Sequence, residues 1–228
     1  MLVKNWMSRE VVTVDSEDSM ETAVKRMKEN RIRLLPVLMK RDVLVGVVSD
    51  GDIKRASASD ATSLDVHELI YLLGRLKVKD IMTRDPITVR WDHTVEETAE
   101  ILLEHKIPGV PVLGPEGRLA GVITQSDIFR VLISLTGVGK RGIQFALRIE
   151  DQPGTIKTAA DAIRSHGGRL VSILTSYEGV TKGYRKVYLR AFSVRRPELE
   201  QLLQTLGDMG QLLYMVDHLE DRRILFNV

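Results

Sequence analysis

An internal repeat constrains this chain more than any other feature. Residues 1–60 and 78–136 align at a single spacing of 75 residues, held without a gap through about 50 positions. Met7 matches Met82, Thr13 and Val14 match Thr88 and Val89, and Pro36-Val37-Leu38 match Pro111-Val112-Leu113. Gly46-Val47 then match Gly121-Val122, and Asp52-Ile53 match Asp127-Ile128. A unit of about 55 residues buries little apolar surface by itself. The two copies are therefore expected to pack sheet to sheet as one module.

Each copy has the same internal order. A short β run (Val11 to Val14; Ile87 to Val89) leads into a helix with apolar positions at Met20, Ala23, Val24 and Met27, or at Val95, Ala99, Leu102 and Leu103. Two further β runs follow, Leu34 to Met39 and Val43 to Ser49 in the first copy. In the second copy Gly114-Pro115-Glu116-Gly117 supplies the turn between them. A second helix starts after Ser49 or Thr124. Between the copies, Leu64, Leu69, Leu72, Leu73 and Leu76 fall at helical spacing and predict a linking helix within 61–77.

The repeat leaves a large part of the 228 residues unexplained, enough for a further domain. Gly137-Val138-Gly139-Lys140-Arg141-Gly142 has no apolar period and predicts a linker over 137–141. Strands are then expected at Ile143 to Ile149, Leu170 to Tyr177, Val187 to Phe192 and Leu212 to Val216. Helices are expected from Asp151-Gln152-Pro153-Gly154 to Gly167-Gly168 and from Pro197 to Leu206. The order βαββαβ over 142–228 is that of a ferredoxin-like unit. The fold class is thus mixed α/β (α+β).

Chemistry concentrates where the last strand of each copy ends. Gly46-Val47-Val48-Ser49-Asp50-Gly51-Asp52 and Gly121-Val122-Ile123-Thr124-Gln125-Ser126-Asp127 both place a hydroxyl three residues before an Asp. That pattern is a helix capping box. The same geometry also serves a ligand: amide N–H groups at a helix start attract phosphate, the hydroxyl adds a donor, and the Asp one turn in accepts from a ribose diol. The preceding glycine and the duplication favour a ligand cleft. Asp50 is a departure, because a carboxylate beside a phosphate repels it, and it favours the Thr124/Asp127 cleft.

These motifs, with Trp6-Met7-Ser8 and Ile81-Met82-Thr83 near the starts of the copies and Leu35-Pro36-Val37 and Val110-Pro111-Val112 in their middles, resemble a tandem CBS-domain (Bateman) module over about residues 1–135. The resemblance implies an adenosyl ligand, AMP, ADP, ATP or S-adenosylmethionine, in clefts between the copies. It implies Asp52 and Asp127 on ribose hydroxyls, Ser49 and Thr124 near phosphate, and Arg33-Leu34-Leu35 and Pro108-Gly109-Val110 flanking the adenine. The tract Asp52 to Ser59 and Leu135-Thr136-Gly137 are similar to the acetoin-utilisation AcuB type, some members of which carry a C-terminal ACT domain. Residues 142–220 with their Asp-x-Pro-Gly turn resemble such a domain. That implies dimerisation and a weak candidate site for an amino acid or other small molecule at Asp151, Gly154 and Arg169. The charged Asp151 and Arg169 stand where the better-known sensors often carry amides, and Ile149 stands where some have a polar side chain.

Other classes have little support. The chain has no Cys, which excludes disulfide scaffolds, thiolate zinc and a cysteine nucleophile and fits the cytoplasm. The five His are scattered, so no metal is expected, and no P-loop, Gly-x-Gly-x-x-Gly or Gly-x-Ser-x-Gly occurs. The near balance of 33 basic and 31 acidic residues, with 5% aromatics, argues against nucleic acid. No apolar run is long enough to cross a membrane. The expectation is a non-catalytic, homodimeric or larger cytoplasmic sensor acting on an unknown enzyme. The alternative is a scaffold or partner-binding module with vestigial clefts.

Overall fold

The computed structural model describes residues 1–39, 42–60 and 76–226, and the chain divides into two compact units, Met1–Phe129 and Arg130–Val228. The helix expected around Leu64, Leu69, Leu72 and Leu73 lies outside the described residues.

The first copy runs β1 (Val14–Asp15), α1 (Met20–Asn30), β2 (Leu34–Met39), β3 (Val43–Ser49) and α2 (Asp50–Asp60). Ser19 starts α1 by accepting a hydrogen bond from the Thr22 amide, and Arg31, in the left-handed region, ends it. The segment α3 (Val78–Ile81) and β4 (Thr83–Arg84) then leads into the second copy: β5 (Val89–Arg90), α4 (Val95–Glu104), β6 (Gly109–Leu113), β7 (Leu119–Thr124) and α5 (Gln125–Thr136). Thr94 and Glu97 cap α4 reciprocally, and the Thr94 amide and hydroxyl hold the Glu97 carboxyl below its ordinary range.

Two expectations are corrected here. The buried stripes are narrower than the apolar pattern: Met20, Ala23 and Met27 are buried but Val24 is exposed, and Leu102 is buried but Leu103 is exposed. The first β runs also shrink to two residues each, because each pairs with its hairpin only at Val14↔Val37 and Asp15↔Leu38, or at Val89↔Val112 and Arg90↔Leu113.

The copies exchange their opening segments. The Val78 and Lys79 amides donate to Asp18 O and Ser16 O at 2.9 and 3.0 Å; the Val3 and Lys4 amides donate to His93 O and Trp91 O, both at 2.9 Å. β4 adds to β3 with Val47↔Thr83, and Ser8 bridges Val122 in the matching place. Every one of these pairs maps onto the other at the 75-residue spacing. Val78 accordingly sits in the first copy's core with Val14, Ala23, Leu35, Val37 and Val48.

The second unit runs β8 (Ile143–Glu150), α6 (Thr155–Ser165), β9 (Arg169–Ser176), β10 (Tyr184–Phe192), α7 (Leu199–Asp208), β11 (Gln211–Asp217) and β12 (Arg222–Leu225). Its sheet has the order β12-β11-β8-β10-β9, antiparallel throughout. Ile143, Phe145, Leu147, Val187 and Leu189 face Ile163, Leu202 and Leu206 of the two helices. Three details differ from expectation: a short 3-10 turn at Val138–Lys140 occupies the linker, α7 starts at Leu199 after a 3-10 turn containing Pro197, and β12 is an added edge strand.

Candidate functional site

The hydroxyl–Asp motifs form helix starts of the same design in both copies. Asp52 Oδ2 accepts from the Ser49 amide at 2.7 Å and from Ser49 Oγ at 2.6 Å, and the Asp52 amide donates back to Ser49 Oγ at 3.2 Å. Asp127 Oδ2 accepts from the Thr124 amide at 2.8 Å and from Thr124 Oγ1 at 2.7 Å. Both carboxylates are buried, at 7% and 3% exposure. A buried carboxylate must have its oxygens satisfied, and the capping bonds supply part of that.

The hairpins bring the remaining candidates to the same places. Leu34 pairs with Ser49 and Gly109 with Thr124 across the strands. The Asp50 amide donates to Arg33 O and the Gln125 amide to Pro108 O, both at 3.0 Å. Within each copy, therefore, Arg33-Leu34-Leu35 lies beside Ser49 and Asp52, and Pro108-Gly109-Val110 beside Thr124 and Asp127. Leu34, Leu35 and Val110 are buried, whereas Arg33 and Pro108 are exposed.

The copies differ in charge. In the first, Asp50 pairs with Lys54 at 3.3 Å; Asp52 Oδ1 there pairs with Arg55, whose counterpart at the 75-residue spacing is Arg130. Gln125 replaces Asp50 in the second, and its Nε2 donates to Ile107 O at 3.2 Å. Arg55 as the partner of Asp52 was only partly legible: the sequence shows a basic residue three positions on, but also Lys54 beside it.

The motif glycines have a packing reason. A Cβ on Gly46 would stand 2.7 Å from Met82 Sδ and 2.8 Å from Thr83 O, and one on Gly121 would stand 2.9 Å from Ser8 O. The opening segment of the other copy thus excludes a side chain there. The glycine reads as evidence for close packing between copies rather than for a ligand.

In the second unit Asp151 pairs with Arg185, and its amide donates to Gly183 O at 2.8 Å. Gly154 holds the left-handed conformation before α6. Arg169 lies over the Phe192 ring at 5.4 Å. Because Glu150 pairs with Tyr184 and Arg169 with Phe192, Asp151 and Arg169 stand near opposite ends of β10, about 25 Å apart. One chain does not bring them together. Among the described residues no three His, Asp or Glu side chains gather as metal ligands, and no helix is long and apolar enough to cross a membrane.

The CBS domain family matches residues 3–59 and 78–134. An inosine-5'-monophosphate dehydrogenase of Korarchaeum cryptofilum is 38% identical over 126 residues, 55% of this chain, and the match spans only 23% of the dehydrogenase. A CBS domain-containing protein of Dictyostelium discoideum is 31% identical over 135 residues, 59% of this chain and 93% of its own length. The crystal structure of the CBS domain pair of protein MJ0100, in complex with 5'-methylthioadenosine and S-adenosyl-L-methionine, is 30% identical with a TM-score of 0.50, covering 58% of this chain and 95% of that one. With both copies matched and each helix start built alike, the chain belongs to the CBS domain family.

Proposed function

We propose that this protein is a non-catalytic regulatory module whose CBS pair binds an adenosyl ligand, one of AMP, ADP, ATP or S-adenosylmethionine. One observation carries the reading. Two helix starts, each with a buried Asp and a hydroxyl at the end of a strand, occur in a chain similar to a CBS pair crystallised with two adenosyl compounds. Thr124 and the α5 amides take phosphate or its equivalent, Asp127 takes the ribose, and Pro108-Gly109-Val110 flanks the adenine. Ser49, Asp52 and Arg33-Leu34-Leu35 form the second cleft, where the Asp50 carboxylate weakens binding.

The βαββαβ order and the sheet order of the second unit support a ferredoxin-like ACT domain that dimerises the protein. A small molecule held by Asp151 and Gly154 of one chain and Arg169 of a second fits the separation of these residues. A cytoplasmic location draws on the absence of Cys, and a link to acetoin metabolism draws only on the resemblance to the AcuB type. If both units bind ligands, their coupling is reciprocal in free energy.

A second reading, a scaffold with vestigial clefts, draws on the Asp52 carboxylate, both of whose oxygens are already engaged by Ser49 and Arg55. A thermal-shift and calorimetric panel of AMP, ADP, ATP, S-adenosylmethionine and 5'-methylthioadenosine separates the two. Saturable binding by one of them is expected; none by any of them favours the scaffold.

A further inference from the structure

The sheet of the second unit carries its helices on one face. Strand alternation puts Gln144, Ala146 and Arg148 of β8, Tyr188 and Arg190 of β10, and Tyr214 and Val216 of β11 on the other. The register sets Arg190, Gln144, Val216 and Arg223 in one row across four strands, and Tyr188, Ala146, Tyr214 and Leu225 in the next. Ala146 is fully buried beneath the two tyrosines, whose ring centroids are 6.4 Å apart and tilted by 36°.

Among the described residues five side-chain polar atoms are buried without a hydrogen-bond partner. Three of them, Arg148 Nε, Arg190 Nη1 and His218 Nε2, belong to this face. Arg190 is the most telling. It is only 4% exposed, Nε donates to Thr136 O at 2.8 Å and Nη2 to Gln144 Oε1 at 3.1 Å, and Nη1 is left with nothing. His218 follows β11, with burial and the nearby Arg190 and Arg223 keeping its pKa below the ordinary imidazole value. Buried donors out of reach of solvent are costly to leave unpaired. A second copy of the same face would set Arg148 and Arg190 against their like, while Arg223 is already paired with Asp221. The complement must be an anion.

We propose that this face is a binding site for a small organic anion, a phosphate or carboxylate carried on a ring or short apolar body. Arg190 Nη1 and the His218 ring, as the Nε2–H tautomer, donate to the anionic group, and the body lies against Tyr188 and Tyr214. Its residues are none of those of the two hydroxyl–Asp motifs or of the turn at Asp151 and Gly154.

Titration of the full chain with phenyl phosphate and with benzoate, followed by calorimetry and by the NMR signals of the tyrosine rings, tests this. One probe is expected to saturate and to move the signals of Tyr188 and Tyr214, assigned through Tyr188→Phe and Tyr214→Phe. Affinity should fall tenfold or more in Arg190→Gln and in His218→Leu, and the tighter probe names the anionic group. No saturation by either probe at about 10 mM, a ceiling for weak specific binding, overturns the site. So does saturation that leaves both tyrosine signals in place or survives the two substitutions. Arg190 also holds Thr136, so if circular dichroism shows Arg190→Gln unfolded, His218→Leu alone decides.

Discussion

Met82 places its sulfur 2.7 Å from where a Cβ on Gly46 would stand, and Met7 occupies the matching place against Gly121. Each methionine opens one copy of the repeat and packs on the other. The glycine that leads each hydroxyl–Asp motif is thus demanded by the neighbouring copy, through an exchange that also buries Val3 and Val78 completely. Neither copy has a finished core without the first residues of the other.

Gly46→Ala should therefore destabilise the first unit by about 1 to 3 kcal/mol, the usual cost of overpacking. Met82→Ala in the same chain should recover part of that loss, since the two residues share one space. Urea unfolding of the single and double variants measures it; additive losses would mean that the contact is not the cause.

Asp127→Ala should weaken adenosyl binding about a hundredfold, since a carboxylate in charge-assisted bonds to a diol contributes about 1.5 to 3 kcal/mol per bond. It should also lower stability by about 1 kcal/mol through loss of the cap. Asp52→Ala should matter less for affinity, because Asp50 stands beside that cleft. Calorimetry on folded protein separates affinity from capping: a variant that melts earlier but titrates like the parent makes Asp127 a cap alone.

Acidification should loosen the second unit through His218. The folded pKa of His218 lies below its ordinary 6.5, so on acidification the unfolded chain takes up the proton first. The stability tied to the neutral ring is present above pH 6.5 and is lost as the pH falls through the folded value. Melting temperatures across that window should decline in the parent and decline less in His218→Leu.

The protein should be at least a dimer in solution. β9 and β12 are sheet edges, and β9 exposes Ile173; open edges and uncovered apolar side chains call for a partner. Light scattering that gives a monomer across micromolar concentrations would refute this, and Ile173→Glu should shift a true β9-edge dimer toward monomer.

Local pattern was enough for much of the fold. β2 and β3 were legible to the residue, as Leu34 to Met39 and Val43 to Ser49, because strand alternation and the turn residues beside it act over a few positions. The capping boxes at Ser49/Asp52 and Thr124/Asp127 were legible for the same reason, their bonds spanning three residues. The two-residue β4 and the β12 strand, which begins with Arg222 and Arg223, carry no periodic signal, and only their pairing with β3 and β11 makes them strands. The identity of the motif glycine was visible but its cause was not, since Met82 reaches Gly46 only after the two copies trade their openings. The cationic face is the clearest case. Arg148, Arg190, Arg223 and His218 lie on or beside four strands and are scattered among balancing acids along the chain, so their shared field exists only once the strands are in register.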